Sequence, residues 1–78
     1  MNLLKLERVD QGSVWYLYQP EGKGEFGEVV FHFASAAPTV AKAAPQDAGS
    51  RYGIKAAAKV AEFVEKKNLP MEYIQAWY

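Results

Sequence analysis

The segment RYGIKAAAKVAEFVEKK, residues 51–67, decides the fold because its apolar residues recur at the spacings of three and four that a helix requires. The apolar stripe consists of Tyr52, Ala56, Ala57, Val60, Ala61, Phe63 and Val64. Charged residues form the opposite stripe, so the segment predicts an amphipathic helix that lies on a sheet. Gly53 in the first turn indicates either a loose helix start or a close approach of the backbone to a strand. We expect Asp47 or Ser50 to cap this helix.

Three segments upstream of the helix have the composition of strands. Residues 2–9 alternate in polarity, and residues 14–19 (VWYLYQ) and 26–33 (FGEVVFHF) are rich in aromatic and branched side chains. Turn residues separate these segments at 10–13 (DQGS) and at 20–24 (PEGKG). Because the connections are too short for parallel crossovers, the three strands are predicted to form an antiparallel meander.

The remaining segments are predicted to add strands to the same sheet. Residues 34–50 are too many for a simple loop, which favours a turn followed by a short strand at 39–43. The last segment, 71–78 (MEYIQAWY), alternates again and predicts a final strand. The sequence therefore predicts an α+β fold in the order β-β-β-(β)-α-β. It is an antiparallel sheet of four or five strands with one amphipathic helix packed on one face.

Length and composition indicate one small domain, residues 1–78, since a chain of this size has no room for a second core. Half of the residues are hydrophobic, which is too apolar a composition for a disordered chain. The nine Lys and Arg residues balance the nine Asp and Glu residues, and the absence of Cys excludes disulfides, Cys-based zinc sites and thiol catalysis. No apolar run is long enough for a signal peptide or a membrane span. We therefore expect a cytoplasmic protein with no membrane partner.

The alternation of side chains divides the predicted sheet into two faces. The face assigned to the helix is apolar and contains Leu4, Leu6, Trp15, Leu17, Val29, Phe31 and Phe33. The other face is mixed and contains Lys5, Glu7, Tyr16, Tyr18, Glu28, Val30 and His32. Tyr is too frequent on this second face for a merely solvated surface, so the second face is the predicted binding surface.

Two short motifs carry a resemblance. Residues 16–22 (YLYQPEG), where a strand enters a Pro-Glu-Gly turn, and the closing Ala76-Trp77-Tyr78 are similar to motifs of a group of short uncharacterised bacterial proteins. The resemblance implies a small bacterial protein. It implies no reaction, cofactor or ligand.

Candidate catalytic chemistry is limited to His32, the residue type that most often exchanges protons near neutral pH. A neighbouring Tyr16 or Tyr18 would complete an acid–base pair, but no nucleophile stands at a motif spacing that would make an active site. One His and scattered carboxylates supply no recognisable ligand set for a metal. The sequence therefore predicts a non-enzymatic protein with no metal site and no cofactor.

The predicted function is association with another protein or with a second copy of the chain, as a homodimer. The predicted interface consists of Tyr16, Tyr18, Val30, His32, Trp77 and Tyr78. Tyr and Trp are enriched at interfaces, and a small domain gains stability from dimerisation. In the competing interpretation, the C-terminal strand and the Ala-rich segment fold over this face, which makes Tyr16 and Tyr18 core residues.

The alternative function is weak binding of single-stranded nucleic acid. Sheet aromatic rings would stack on bases, while Arg51, Lys55 and Lys59, one helical turn apart, would contact phosphates. The zero net charge and the acidic Glu7 and Glu28 on the Tyr-bearing face oppose this function, because nucleic-acid-binding domains are usually basic.

Overall fold

The chain folds into a five-stranded antiparallel sheet with one α-helix on one face. The structure is a computed structural model and describes residues 1–77. The elements in chain order are β1 (Asn2–Val9), β2 (Ser13–Pro20), β3 (Gly27–His32), β4 (Ala37–Lys42), a 3-10 turn (Ala48–Ser50), α1 (Arg51–Glu65) and β5 (Glu72–Gln75). The strand order across the sheet is β4-β3-β2-β1-β5. The predicted α+β fold is therefore confirmed, including the fourth strand and the final one.

The turn between β1 and β2 is held by one carboxylate. Asp10 Oδ1 accepts hydrogen bonds from the backbone nitrogens of Gly12 (2.9 Å) and Ser13 (2.8 Å), and from the Ser13 hydroxyl (2.9 Å). This turn sets Val9 opposite Val14. The run of Asp, Gly and Ser that predicted a turn thus acts through local side-chain hydrogen bonds to the backbone.

A bulge in β1 decides which residues of β2 face the helix. Arg8 pairs with Trp15, but Leu6 pairs with Tyr16 because Glu7 is an extra residue between them. Without the bulge the register of the turn would continue, Glu7 would pair with Tyr16, and Leu6 would lie opposite Leu17. A one-residue shift exchanges the two faces of a strand, so the bulge turns Tyr16 toward the helix.

The predicted placement of Tyr16 and Tyr18 on the uncovered face is therefore wrong. The predicted placement of Trp15 and Leu17 under the helix is wrong for the same reason. Tyr16 and Tyr18 are fully buried on the helix side together with Leu4. The interpretation of both Tyr residues as core is right. Helix α1 covers them together with part of the Ala-rich segment 34–50, since the Ala44 nitrogen donates a hydrogen bond to the Tyr18 hydroxyl (2.9 Å) and Tyr18 donates to Asp47. The C-terminal strand does not cover them but pairs with β1 at the edge of the sheet.

The core lies between this sheet face and α1. The ring of Phe63 on α1 lies 5.5 Å from the ring of Tyr16, centroid to centroid, and Val60 fills the space beside them. Each buried phenol has a polar partner, since Tyr16 donates a hydrogen bond to the Pro70 carbonyl at 2.6 Å and Tyr18 donates to Asp47 at 2.7 Å. Burial raises the pKa of both phenols to about 12, so both act as neutral hydroxyls.

Gly53 allows α1 to approach β2 closely, which is one of the two roles that its position in the first turn predicts. A Cβ atom at this position would lie 2.8 Å from the Tyr18 hydroxyl oxygen and 3.0 Å from a methyl carbon of Val40. Real Cβ atoms do not come so close to their neighbours, so any larger residue pushes the helix away from the sheet.

Replacing Gly53 with Ala is expected to destabilise the protein by about 1–3 kcal/mol, the usual cost of overpacking a core. Urea unfolding followed by far-UV circular dichroism measures the change. The sign is informative because Ala stabilises an exposed helix position by about 1 kcal/mol relative to Gly. An increase in stability would therefore contradict the close approach.

Candidate functional site

Asp47 joins the start of α1 to the centre of the sheet. Its side chain is 5% exposed. Oδ1 accepts a hydrogen bond from the Tyr52 backbone nitrogen (2.9 Å), and Oδ2 accepts from the Gly53 nitrogen (2.9 Å) and from the Tyr18 hydroxyl (2.7 Å). Of the two predicted capping residues, Asp47 supplies the cap, and the Ser50 side chain makes no capping hydrogen bond within residues 1–77.

The electrostatics of Asp47 fit its role at the helix start. Burial alone would raise the pKa of this carboxyl, but hydrogen bonds from Tyr52, Tyr18 and Gly53 hold it below its usual value. The group is therefore a carboxylate at neutral pH. Both of its oxygens accept hydrogen bonds, through which it stabilises the start of α1.

The sheet face opposite α1, which we call the open face, has an apolar centre. The strand registers place the following side chains on it: Leu3, Lys5, Arg8, Trp15, Leu17, Glu28, Val30, His32 and Ile74. The bulge residue Glu7 has no partner in the register but interacts with Glu28 and therefore belongs to the same face. Val30 is only 3% exposed because it lies between its partners Trp15 and Thr39, whereas Ile74 is 63% exposed. No second helix covers this face within residues 1–77.

Two cations on the open face lie against aromatic rings. The Arg8 guanidinium carbon is 4.3 Å from the centroid of the Trp15 ring, and the Lys5 ammonium is 5.5 Å from that of Phe26. Such contacts are attractive because the ring face carries negative charge density. They hold both positive charges beside the apolar centre rather than far out in solvent.

Two carboxylates share the same face. Partial burial raises the pKa of Glu7 above its usual value. The negative charge of Glu28 and a hydrogen bond between the two carboxyl groups raise the pKa of Glu7 further, whereas the positive charge of Arg8 lowers it. The two acids are therefore close enough to repel each other. The open face consequently combines an apolar centre, two cations and two neighbouring acids.

The structure separates the residues of the predicted interface. Val30 and His32 lie on the open face, where the sequence placed them, whereas Tyr16 and Tyr18 lie in the core. Trp77 lies on the other side of the molecule, with its ring 5.5 Å from that of Tyr52. Tyr78 lies outside the described residues.

Sequence reasoning missed Trp15 and Leu17 as residues of the open face. Both are apolar residues on a strand whose two faces are equally apolar, so polarity could not assign them to one side. The one signal for the right side is the polar pair Glu7-Arg8 at the end of β1, which is compatible with a bulge but does not identify one.

The three helix cations of the nucleic-acid alternative are not equivalent. Lys59 forms an ion pair with Glu62, Nζ to Oε2 at 2.9 Å, and its ammonium lies 5.5 Å from the Tyr73 ring centroid. Lys55 lies 4.9 Å from the centroid of Trp77. The ion pairs formed within residues 1–77 include neither Arg51 nor Lys55. The rings beside these cations come from the C-terminal segment and not from the centre of the sheet.

A cavity of about 340 Å³ opens at the start of α1. Its lining combines cations, rings and polar groups and consists of Gln46, Asp47, Ala48, Arg51, Tyr52, Lys55 and Trp77. The volume lies at the lower end of the roughly 300–1,000 Å³ that is usual for small-molecule sites.

Hydrogen bonds between distant parts of the chain hold the walls of this cavity. Asn2 Nδ2 donates to the Tyr52 carbonyl and to Gln75 Oε1, both at 3.0 Å, and Gln75 Nε2 donates to the Lys55 carbonyl at 2.9 Å. The Tyr52 hydroxyl donates to Glu21 Oε2 at 2.7 Å. These bonds fix the first turns of α1 against β5, which ends two residues before Trp77.

Among residues 1–77, no three His, Cys, Asp or Glu side chains come together in a way that could hold a metal ion. No helix in that part of the chain combines the length and the apolar character needed to cross a membrane.

Comparisons with protein-family models, with curated proteins and with solved structures find no match to this chain.

Proposed function

We propose that this protein is a non-enzymatic, self-associating domain in which the open face binds the open face of a second copy. The observation that carries the proposal is the apolar centre formed by Leu3, Trp15 and Leu17, which lies beside both cations and acids on an uncovered sheet face. Trp and Arg are the residues that most often dominate binding energy at protein interfaces.

The charges on the open face favour a second copy as the partner. Glu7 and Glu28 repel each other within one copy, while Arg8 and Lys5 lie near them on the same face. A two-fold interface brings the same patch of both copies together. The acids of one copy can then face the cations of the other, which relieves the repulsion without any additional partner.

The size of the face agrees with this partner. The molecule measures 30 × 20 × 19 Å, so one sheet face spans roughly 600 Å² before side-chain relief. Two such faces together bury roughly 1,200 Å², the lower end of the range for stable interfaces. A domain of 78 residues has a small core and gains stability from such burial.

Acrylamide quenching of Trp15 fluorescence tests the proposal. The Trp77→Phe variant leaves Trp15 as the one Trp of the chain, because the sequence contains two. Self-association buries Trp15, so we expect its quenching constant to fall as the protein concentration rises from micromolar to millimolar. The matched Trp15→Phe variant reports on Trp77, which lies away from the open face, and its quenching is expected to stay constant. Concentration-independent quenching of Trp15 would contradict the proposal.

A further inference from the structure

We propose that the cavity at the start of α1 binds a nucleotide, with Arg51 and Lys55 holding the phosphate and Trp77 contacting the base. This site lies on the helix side of the sheet and is independent of self-association through the open face.

The first argument is the positive charge of two neighbouring side chains on the cavity wall. Arg51 and Lys55 are one helical turn apart on the cavity wall, and neither belongs to the ion pairs formed within residues 1–77. The nearby carboxylate of Asp47 is occupied by hydrogen bonds from Tyr18, Tyr52 and Gly53. The first amides of α1 are therefore already bound, and side chains must provide the site for an anion. Arg and Lys are the residues that bind phosphate oxygens best.

The second argument is the aromatic wall. The Trp77 ring lies 5.5 Å from the Tyr52 ring at an interplanar angle of 57°, and the Lys55 ammonium lies 4.9 Å from the Trp77 centroid. The ammonium can contact the anionic group of a ligand while the indole contacts a planar ring next to that group. Stacking of bases on aromatic side chains is a common and sequence-tolerant form of recognition.

The third argument is preorganisation. Hydrogen bonds from Asn2 to Tyr52 and Gln75, and from Gln75 to Lys55, fix the backbone that carries the rings and the cations. The Tyr52 ring is also held by its bond to Glu21. Walls that are already ordered lose little entropy when a ligand binds.

The cavity volume limits the ligand to about one nucleotide. At about 340 Å³ the cavity is near the lower limit for small-molecule sites. The same chemistry, a phosphate next to a base, is present in a free mononucleotide and at the 5′-phosphorylated end of a single strand. The experiment therefore includes both sources.

Titration of Trp77 fluorescence in the Trp15→Phe variant tests the site. The ligands are adenosine monophosphate, adenosine, inorganic phosphate and a 5′-phosphorylated single-stranded oligonucleotide, each at low salt. We expect the monophosphate to quench Trp77 with saturation, and adenosine and inorganic phosphate to bind at least about tenfold more weakly because each supplies half of the contacts. Tighter binding of the oligonucleotide would identify nucleic acid as the source, and equal or weaker binding would identify the free nucleotide.

Variants separate this site from general electrostatic attraction. Arg51→Gln and Lys55→Gln are each expected to weaken binding of the monophosphate about tenfold, the usual effect of losing one charge-assisted hydrogen bond. Lys67→Gln removes the same charge beyond the other end of α1 and is expected to leave binding unchanged. Circular dichroism confirms that each variant is folded.

Three results would overturn the inference. They are the absence of saturable quenching by either phosphorylated ligand, binding of inorganic phosphate as tight as that of the monophosphate, and an equal effect of Lys67→Gln and Arg51→Gln. The first result would show that the cavity does not bind a nucleotide. The second would show that Trp77 does not contribute to binding, and the third would show that binding depends only on net charge.

Discussion

Replacing Asp47 with Ala is expected to lower the free energy of unfolding by about 3–4 kcal/mol at pH 7, because three hydrogen-bond donors lose their acceptor at once. The donors are the Tyr18 hydroxyl and the backbone nitrogens of Tyr52 and Gly53. Tyr18 is fully buried, so its hydroxyl cannot turn to water without opening the core. For a small domain this loss is a large part of the total stability. Urea unfolding followed by circular dichroism measures it.

Asp10 provides a matched control. Its carboxylate also accepts three hydrogen bonds, from the Gly12 nitrogen and from the nitrogen and hydroxyl of Ser13, but it lies in an exposed turn. After Asp10→Ala, water can replace the lost acceptor, so a much smaller effect is expected. If Asp47→Ala and Asp10→Ala lower the free energy of unfolding equally, burial does not explain the effect of Asp47→Ala.

The pH dependence of stability tests the contribution of the Asp47 carboxylate. Hydrogen bonds hold the pKa of the Asp47 carboxyl below its usual value of 3.8. A carboxyl with a lowered pKa in the folded state contributes stability above its unfolded-state pKa and loses that contribution as the pH falls through the folded-state value. The difference in stability between the native protein and Asp47→Ala is therefore expected to shrink below pH 3.8. A difference that grows on acidification would contradict this assignment.

Replacing Leu17 with Glu is expected to weaken self-association at least about a hundredfold, because a carboxylate would have to be removed from water in the apolar centre of the interface. Leu17 pairs with Lys5 on one side and with Glu28 on the other, so the new carboxylate also adds to the acidic pair on the open face. Sedimentation velocity over a range of concentrations measures the dissociation constant.

The control is the same type of substitution on the other side of the molecule. Ile54 on α1 is 61% exposed, and Ile54→Glu is expected to leave the dissociation constant unchanged. If both variants weaken association equally, the open face is not the interface. If neither does, Leu17 lies outside it.

Most of the fold can be predicted from local patterns. The helix follows from the spacing of Ala56, Val60 and Phe63, and the close approach of helix and sheet follows from Gly53. The β1–β2 turn follows from Asp10 and its neighbours. These features depend on residues close together in the chain, and short-range chemistry determines them.

The faces of β2 could not be predicted, because they depend on the bulge at Glu7. The bulge places Leu6 opposite Tyr16 instead of opposite Leu17. Both faces of β2 are apolar enough to belong to the core. Hydrophobic alternation determines a register only where one face is clearly polar. The wrong placement of Tyr16 and Tyr18 in the predicted interface therefore has a single physical cause.

The cavity at the start of α1 could not be predicted either, because one of its walls is formed by Trp77, which is distant in sequence from the other lining residues at 46–55. The sequence predicts Arg51 and Lys55 as part of a basic stripe, but their position beside Trp77 depends on pairing of β5 with β1. That pairing is supported by the hydrogen bonds of Asn2, a buried polar residue in the first strand. Nothing local in the sequence connects residue 2 to residue 75.

Concentration-dependent nuclear magnetic resonance shifts of the native chain test the central claim most directly, because they locate the surface at which two copies meet. We expect the shifts of Leu3, Trp15 and Leu17 to change as the concentration rises, while those of Arg51 and Lys55 on the opposite side stay constant. Shifts that do not depend on concentration, or changes confined to the helix side, would contradict self-association through the open face.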